Sequence, residues 1–98
     1  MGAPTLEPIT GGGPLLALSW NAVAGATFYQ IEQSERSDFA TSYFYSAAGT
    51  SLSRLADAGT HWFRVRACTP AGCGAASGAQ PATVTDGPKR QYLALMLN

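Results

Sequence analysis

Two cysteines, Cys68 and Cys73, are the residues whose type and spacing most directly suggest chemistry. The residues between them, Thr69-Pro70-Ala71-Gly72, are typical of a tight turn between two strands. Facing positions on neighbouring antiparallel strands lie about 4.5–5.5 Å apart, within the reach of a disulfide. A redox pair would need Cys-x-x-Cys spacing at a helix N-terminus, and a zinc site would need more ligands. We therefore predict a disulfide and, with it, an extracellular, cell-surface or periplasmic location.

The other reactive side chains do not suggest a catalytic set. His61 is the only histidine, and its place in the local alternation predicts a buried, structural role. The carboxylates are scattered, and the two that share a turn are interpreted as solvated rather than as a calcium or acid–base pair; they are Glu35 and Asp38. The glycine run at 11–13 lacks the lysine of a phosphate loop. We therefore expect that the protein is not an enzyme and that it has no catalytic, cofactor-binding or metal-binding residues.

The chain length and the charge composition limit both the fold class and the kinds of partner that the protein could bind. The 98 residues allow one domain, and charged residues make up only 12% of them, which favours a β-rich domain over a helical bundle. Six basic residues balance six acidic ones, so the sequence offers no basic patch for nucleic acid or for an anionic membrane surface. The longest apolar stretch, residues 92–97, is too short to span a bilayer.

Alternation of apolar and polar residues predicts short strands. Leu16, Leu18 and Trp20 share one face, and Phe63 and Val65 share another. With turn signals about every 8–12 residues, the pattern predicts a seven-stranded antiparallel β-sandwich of immunoglobulin-like type. The predicted strands are an N-terminal edge segment within 1–10, then 15–20, 27–34, 39–46, 50–55, 61–68 and 74–85. The predicted core residues are Trp20, Tyr29, Ile31, Leu52, Leu55, Phe63 and Val65.

The outward face of two of these strands is the place where a binding function could lie. Glu32 could pair with Arg64 or Arg66 across the strands. Two interpretations stay open: a solvated face with partly covered aromatic rings, or a platform that contacts a neighbouring domain, a protein or a sugar polymer. The residues of this face are Phe28, Gln30, Glu32, Trp62, Arg64 and Arg66.

Two stretches resemble strands of fibronectin type III modules. They are LALSWNAVAGATFYQIEQS, similar to the second and third strands with Trp20 at the core tryptophan, and LADAGTHWFRVRACTPAGCGAAS, similar to the sixth and seventh. The hairpin cysteine pair looks like that of modules from bacterial secreted and cell-surface proteins. His61 stands where these modules usually carry a tyrosine whose hydroxyl ties the corner to the backbone. The sequence leaves open whether His61 makes that bond.

The resemblance implies a module rather than an independent enzyme. We expect a domain over 1–85 and, over 86–98, a linker or tail that includes the start of a neighbouring domain or a segment pairing with a sheet edge or another chain. The expected function is a structural or spacer module of a larger extracellular bacterial protein. The alternative is a carbohydrate-binding accessory module beside a polysaccharide-degrading enzyme. The expected partners are neighbouring domains, another protein or a polysaccharide.

Overall fold

The computed structural model describes residues 2–9 and 14–85, and these ranges contain strands and no helix. The fold is therefore all-β, as the alternation predicted. The predicted linker or tail over 86–98 lies outside the described residues. The strands are β1 (Leu15–Ser19), β2 (Phe28–Ser34), β3 (Tyr43–Ala47), β4 (Ser51–Leu55), β5 (Gly59–Thr69), β6 (Gly72–Ala76) and β7 (Gln80–Val84).

The strands form two antiparallel sheets that pack as a sandwich. One sheet pairs β1 with β4. The other has the order β3-β2-β5, and both β6 and β7 pair with β5. The predicted N-terminal strand is reduced to a single bridge between Leu6 and Trp20, since Pro4 and Pro8 cannot donate to a ladder. The predicted final strand is divided into β6 and β7 at residues 77–79.

The core lies between the inner faces of the two sheets. Leu16 and Leu18 alternate with exposed neighbours along β1, which is the period that one buried sheet face requires. The ring of Trp20 packs against that of Tyr29 with 5.7 Å between centroids. Five of the predicted core residues are buried here: Trp20, Tyr29, Ile31, Phe63 and Val65.

The prediction that Leu55 lies in the core was wrong, because its side chain is 66% exposed. Leu52 faces inward opposite Leu18 and is partly buried against the core. Leu55 is three positions further along the strand and therefore points to the opposite face, where it pairs with the exposed Leu15. Because side chains alternate between the two faces of a strand, Leu52 and Leu55 cannot both face the core.

The described chain enters the sandwich at one end and leaves it at the other. At the first end, the Thr5 amide donates to Asn21 Oδ1 at 2.5 Å, and the Thr27 amide donates to the carbonyl of Cys68 at 2.8 Å. At the opposite end, the last strand finishes with Val84 paired to Gly59, the first residue of β5. The two ends are therefore separated by the length of the sandwich.

Candidate interaction surfaces

A buried carboxylate lies at the centre of the outer face of the larger sheet. Glu32 stands directly opposite Arg64 on β5 and Phe44 on β3. Its Oε1 accepts hydrogen bonds from Arg64 Nε at 2.6 Å and Arg66 Nη1 at 3.1 Å. Its Oε2 accepts one from Ser42 Oγ at 2.6 Å. Both carboxylate oxygens are thus occupied by groups of the same chain.

The electrostatics of this cluster favour the ionised carboxylate. The side chain of Glu32 is 5% exposed, against 30% for Arg64 and 27% for Arg66. Burial alone would raise the pKa of Glu32, but hydrogen bonds from Arg64, Ser42 and Arg66 outweigh it and lower the pKa to about 2. Glu32 is therefore charged at neutral pH, and the two arginines more than balance its charge.

The loop between β2 and β3 covers part of this face. Phe39 is buried in it with a φ of 54°, and the guanidinium of Arg64 lies 4.1 Å from the centroid of its ring. Ser34 Oγ donates to the carbonyl of Thr41 at 2.6 Å and accepts from the Arg36 amide at 3.0 Å. These bonds hold the loop against the sheet, so Phe39 is the aromatic partner of Arg64.

The structure brings the six predicted face residues together but leaves little of their surface exposed to solvent. The register pairs Gln30 with Arg66 and Glu32 with Arg64, with Trp62 and Phe28 at the two ends of the row. Glu32 is buried and the other five are partly buried. The exposed large apolar side chains of the described residues are Leu15, Tyr43, Phe44 and Leu55, and of these Phe44 lies on this outer face, opposite Glu32.

The position of the corner residue is filled by His61, which is buried. Its Nε2 lies 2.8 Å from the carbonyl oxygen of Asp57, and its Nδ1 lies 3.3 Å from Gln33 Nε2. A carbonyl only accepts, so Nε2 carries the proton and Nδ1 accepts from the Gln33 amide. His61 therefore makes the backbone bond that the corner tyrosine makes in similar sandwiches.

A shallow cleft opens beside this corner, on the side of the sandwich bordered by β3 and β4. Its volume is about 230 Å³, with Gln33 and His61 among its lining residues. Tyr43 at its margin is 63% exposed. The ring of Tyr45 is covered by the guanidinium of Arg54, which lies 3.8 Å from the ring centroid. The cleft thus combines one open aromatic ring with planar polar groups.

The two cysteines form a disulfide across the β5–β6 hairpin. Cys68 and Cys73 are paired in the register, with their Cα atoms 4.0 Å apart. Gly72, in the turn between them, has a φ of 145°, a conformation that residues with a Cβ rarely adopt. Cys68 is fully buried, whereas Cys73 is exposed.

Residues 2–9 and 14–85 contain neither a metal-ligand cluster nor a membrane-spanning helix. No three His, Cys, Asp or Glu side chains in this part of the chain come together as metal ligands would. Nor does this part of the chain contain a helix long and apolar enough to cross a membrane.

Sequence reasoning missed three side chains that organise these surfaces. Phe39 and Ser42 were assigned to a strand, yet β3 begins only at Tyr43. Ser77 was assigned to a continuous final strand, yet its hydroxyl bridges the division between β6 and β7. The only local signal was the turn itself, where Asp38 lies two residues after Arg36 and forms an ion pair with it at 3.1 Å.

Two antiparallel sheets with this pairing and a corner bond define an immunoglobulin-like β-sandwich. Comparison with solved structures narrows the class: the fold is that of a fibronectin type III domain. No family model matches the sequence, and no curated protein matches it either.

Three similar structures show how the fold occurs in other proteins. The sixth fibronectin type III domain of a human fibronectin type III domain containing protein is 20% identical over 89% of this chain and 90% of its own, with a TM-score of 0.66. A beta-1,2-glucanase from Parabacteroides distasonis is 17% identical, with 95% of this chain and 14% of the glucanase covered and a TM-score of 0.70. The twitchin kinase region from C. elegans is 19% identical, with 85% of this chain and 16% of the twitchin chain covered and a TM-score of 0.70. In the last two the fold is one module of a much longer chain.

Proposed function

We propose that this chain is a non-catalytic structural module that spaces or presents neighbouring domains in a larger extracellular protein. The observation that carries the proposal is where the first and last described segments lie in the sandwich. Thr5 is bonded to Asn21 at one end of the sandwich, and β7 finishes opposite Gly59 at the other. A module whose chain enters and leaves at opposite ends holds its neighbours apart by its own length.

Two further observations support this role. The charged groups of the outer face bind one another, since Glu32 accepts from both Arg64 and Arg66, and this joins β2 to β5 through side chains as well as through the backbone. The Cys68–Cys73 disulfide supports an oxidising, extracellular environment. The bacterial origin implied by the sequence resemblance stays a prediction.

The spacer role is tested by joining two copies of the full chain in tandem through their own ends. Small-angle X-ray scattering should give a maximum dimension close to double that of one copy. A control tandem with an inserted Gly/Ser linker should broaden the distance distribution, because such linkers behave as flexible coils. A compact tandem whose two copies fold back side by side would overturn the proposal.

A second candidate function, a carbohydrate-binding accessory module, is favoured by Tyr43. Its ring is 63% exposed at the margin of the cleft that holds Gln33 and Glu35. An open aromatic face beside planar polar groups suits the apolar face and hydroxyls of a sugar ring. A similar module also occurs within a beta-1,2-glucanase, an enzyme that acts on a polysaccharide.

An amide-resolved NMR titration with soluble fragments of cellulose, xylan, chitin and beta-1,2-glucan tests this second function. Saturable shifts at Tyr43 and Gln33 would support it and place the sugar in the cleft. Shifts centred on Phe28, Trp62 and Arg64 would place it on the outer face instead. A flat response to all four would exclude sugar binding for these polymers and leave the spacer role.

A further inference from the structure

Within residues 2–9 and 14–85, the strand β3 is an uncovered sheet edge. It pairs with β2 on one side only, in a register without a bulge. Its sequence, Tyr43-Phe44-Tyr45-Ser46-Ala47, contains no charge, proline or glycine. Proteins usually protect such edges with charges, prolines, bulges or covering segments, because unpaired backbone groups are a template for another strand.

The other edges of the described sandwich carry protection of this kind, including β6, whose pairing with β5 is interrupted by a register shift. β7 contains Pro81 and is separated from β6 by the break at residues 77–79. β4 contains Arg54. The free side of β1 meets the N-terminal segment through the Leu6–Trp20 bridge. Among the described residues, no such device protects β3, and this sets it apart from those edges.

Apolar surface is exposed on both faces of this edge. Tyr43 points toward the cleft with 63% of its surface exposed, and Phe44 points to the outer face with 55% exposed. A strand added at this edge would meet an aromatic ring on each face, in addition to the free backbone groups. Hydrogen bonding and apolar burial would then act together.

We propose that β3 pairs antiparallel with β3 of a second copy of this chain, about a two-fold axis at Tyr45. This register uses all five residues of the strand. It places Tyr43 opposite Ala47 and Phe44 opposite Ser46 of the second copy, so that these two large side chains each meet a small one, while Tyr45 on the axis meets Tyr45 of the second copy as an aromatic pair. A strand that complements itself in this way suits an isologous dimer. The chain has a net charge of zero, so two copies do not repel each other.

This association is independent of the proposed spacer role, because the β3 edge runs along the side of the sandwich rather than at its ends. It is also weak. Pairing of five residues buries less than the about 1,200 Å² typical of stable interfaces, and we expect a Kd on the order of 0.1–1 mM. At a cell surface, weak lateral contacts of this kind would align neighbouring chains.

Sedimentation equilibrium of the full chain at concentrations up to about 1 mM tests the proposal. The wild type should show a reversible dimer, and Phe44→Lys should raise the Kd by about tenfold or more, because it puts a charge on the edge. The matched control is Leu15→Lys, since Leu15 is also 55% exposed but lies on β1, away from the β3 edge. Its Kd should equal that of the wild type.

Because Phe44 faces Glu32, the lysine variant could disturb the ion cluster as well as the edge. Tyr43→Lys, on the opposite face of β3, therefore serves as a second variant and should weaken the dimer similarly. In the wild type, NMR shifts that depend on concentration should centre on residues 43–47. A monomer throughout the range would overturn the proposal. So would a dimer that Leu15→Lys weakens, or one that both β3 variants leave intact.

Discussion

Glu32 and Arg64 lie directly opposite each other on β2 and β5, and the Arg64 Nε donates to Glu32 Oε1 at 2.6 Å. The same carboxylate also accepts from Arg66 and from Ser42, which lies in the loop before β3. One buried side chain thereby joins two central strands to the loop that covers them. The cluster stabilises the contact between these strands and the loop, and it should make the stability of the domain depend on pH.

Glu32→Gln should lower the free energy of unfolding at neutral pH by about 2 kcal/mol, because two partly buried arginines lose their counter-charge. The pKa of Glu32 is about 2 in the folded protein, below its ordinary value of 4.5. A depressed pKa contributes stability that is present above the unfolded value and lost as the pH falls through the folded one. The difference between wild type and variant, measured by urea denaturation, should therefore shrink between about pH 5 and pH 2.

The matched control for that experiment is Asp38→Asn. The Asp38 carboxylate also has a lowered pKa, through hydrogen bonds from Arg36 and the Ala40 amide, but its ion pair is exposed to solvent. Its removal should leave stability nearly unchanged, since exposed pairs contribute little. A pH-independent loss in Glu32→Gln, or an equal loss in both variants, would contradict the role assigned to Glu32.

The corner bond of His61 gives a second prediction. His61→Phe keeps a buried ring but removes the hydrogen bonds to the Asp57 carbonyl and the Gln33 amide, and should cost about 1–3 kcal/mol. Thermal or urea denaturation measures the loss. Thr60→Val, at the exposed neighbouring position, should change stability by less than about 0.5 kcal/mol. A His61→Phe variant as stable as the wild type would show that the corner is held by packing alone.

Burial could be predicted from the sequence wherever apolar and polar residues alternate along a strand with period 2. Strands with one buried face alternate with period 2, so Leu16, Leu18, Phe63 and Val65 could be placed inside from the pattern alone. The pattern could not place Leu55, because a strand end with two leucines three positions apart does not say which of them faces the core.

The candidate surface was predictable only in part. Cross-strand pairing of Glu32 with an arginine follows from register, but the sequence could not say that both arginines share one oxygen. The contributions of Ser42 and Phe39 depend on the path of a loop that includes a residue with φ of 54°. No periodicity encodes such a path, because it is set by contacts between residues distant in the final fold.

The disulfide gives a third prediction. Cys68→Ala/Cys73→Ala should lower the free energy of unfolding by about 2 kcal/mol, the modest value expected for so short a closed loop. Reduction of the wild type should lower its free energy of unfolding, measured by urea denaturation, by a comparable amount, whereas the double variant should not respond to reductant. Intact mass of the unreduced wild type should be lower than that of the reduced chain by two hydrogens. Two thiols that alkylate freely in the folded, unreduced protein would contradict the bond.

The fourth prediction concerns the break between β6 and β7, which Ser77 spans. The buried Val65 amide donates to Ser77 Oγ at 2.9 Å, and the Ser77 amide donates to the Val65 carbonyl at 2.8 Å. A side-chain hydroxyl thus replaces the ladder partner that the departing strand no longer supplies. Ser77→Ala removes that acceptor and leaves the Val65 amide unsatisfied, which should cost about 1–3 kcal/mol.

The amide at which Ser77→Ala changes hydrogen exchange tests this role more sharply than the size of the stability loss does. Hydrogen exchange at the Val65 amide should accelerate in Ser77→Ala beyond what the loss of global stability explains, because the bond that protects it is missing. Ser53→Ala, on the exposed face of β4, is the matched control and should leave both quantities unchanged. If the Val65 amide stays as protected as its neighbours in Ser77→Ala, a backbone group must replace the hydroxyl. The division of the last strand would then not depend on a serine at this position.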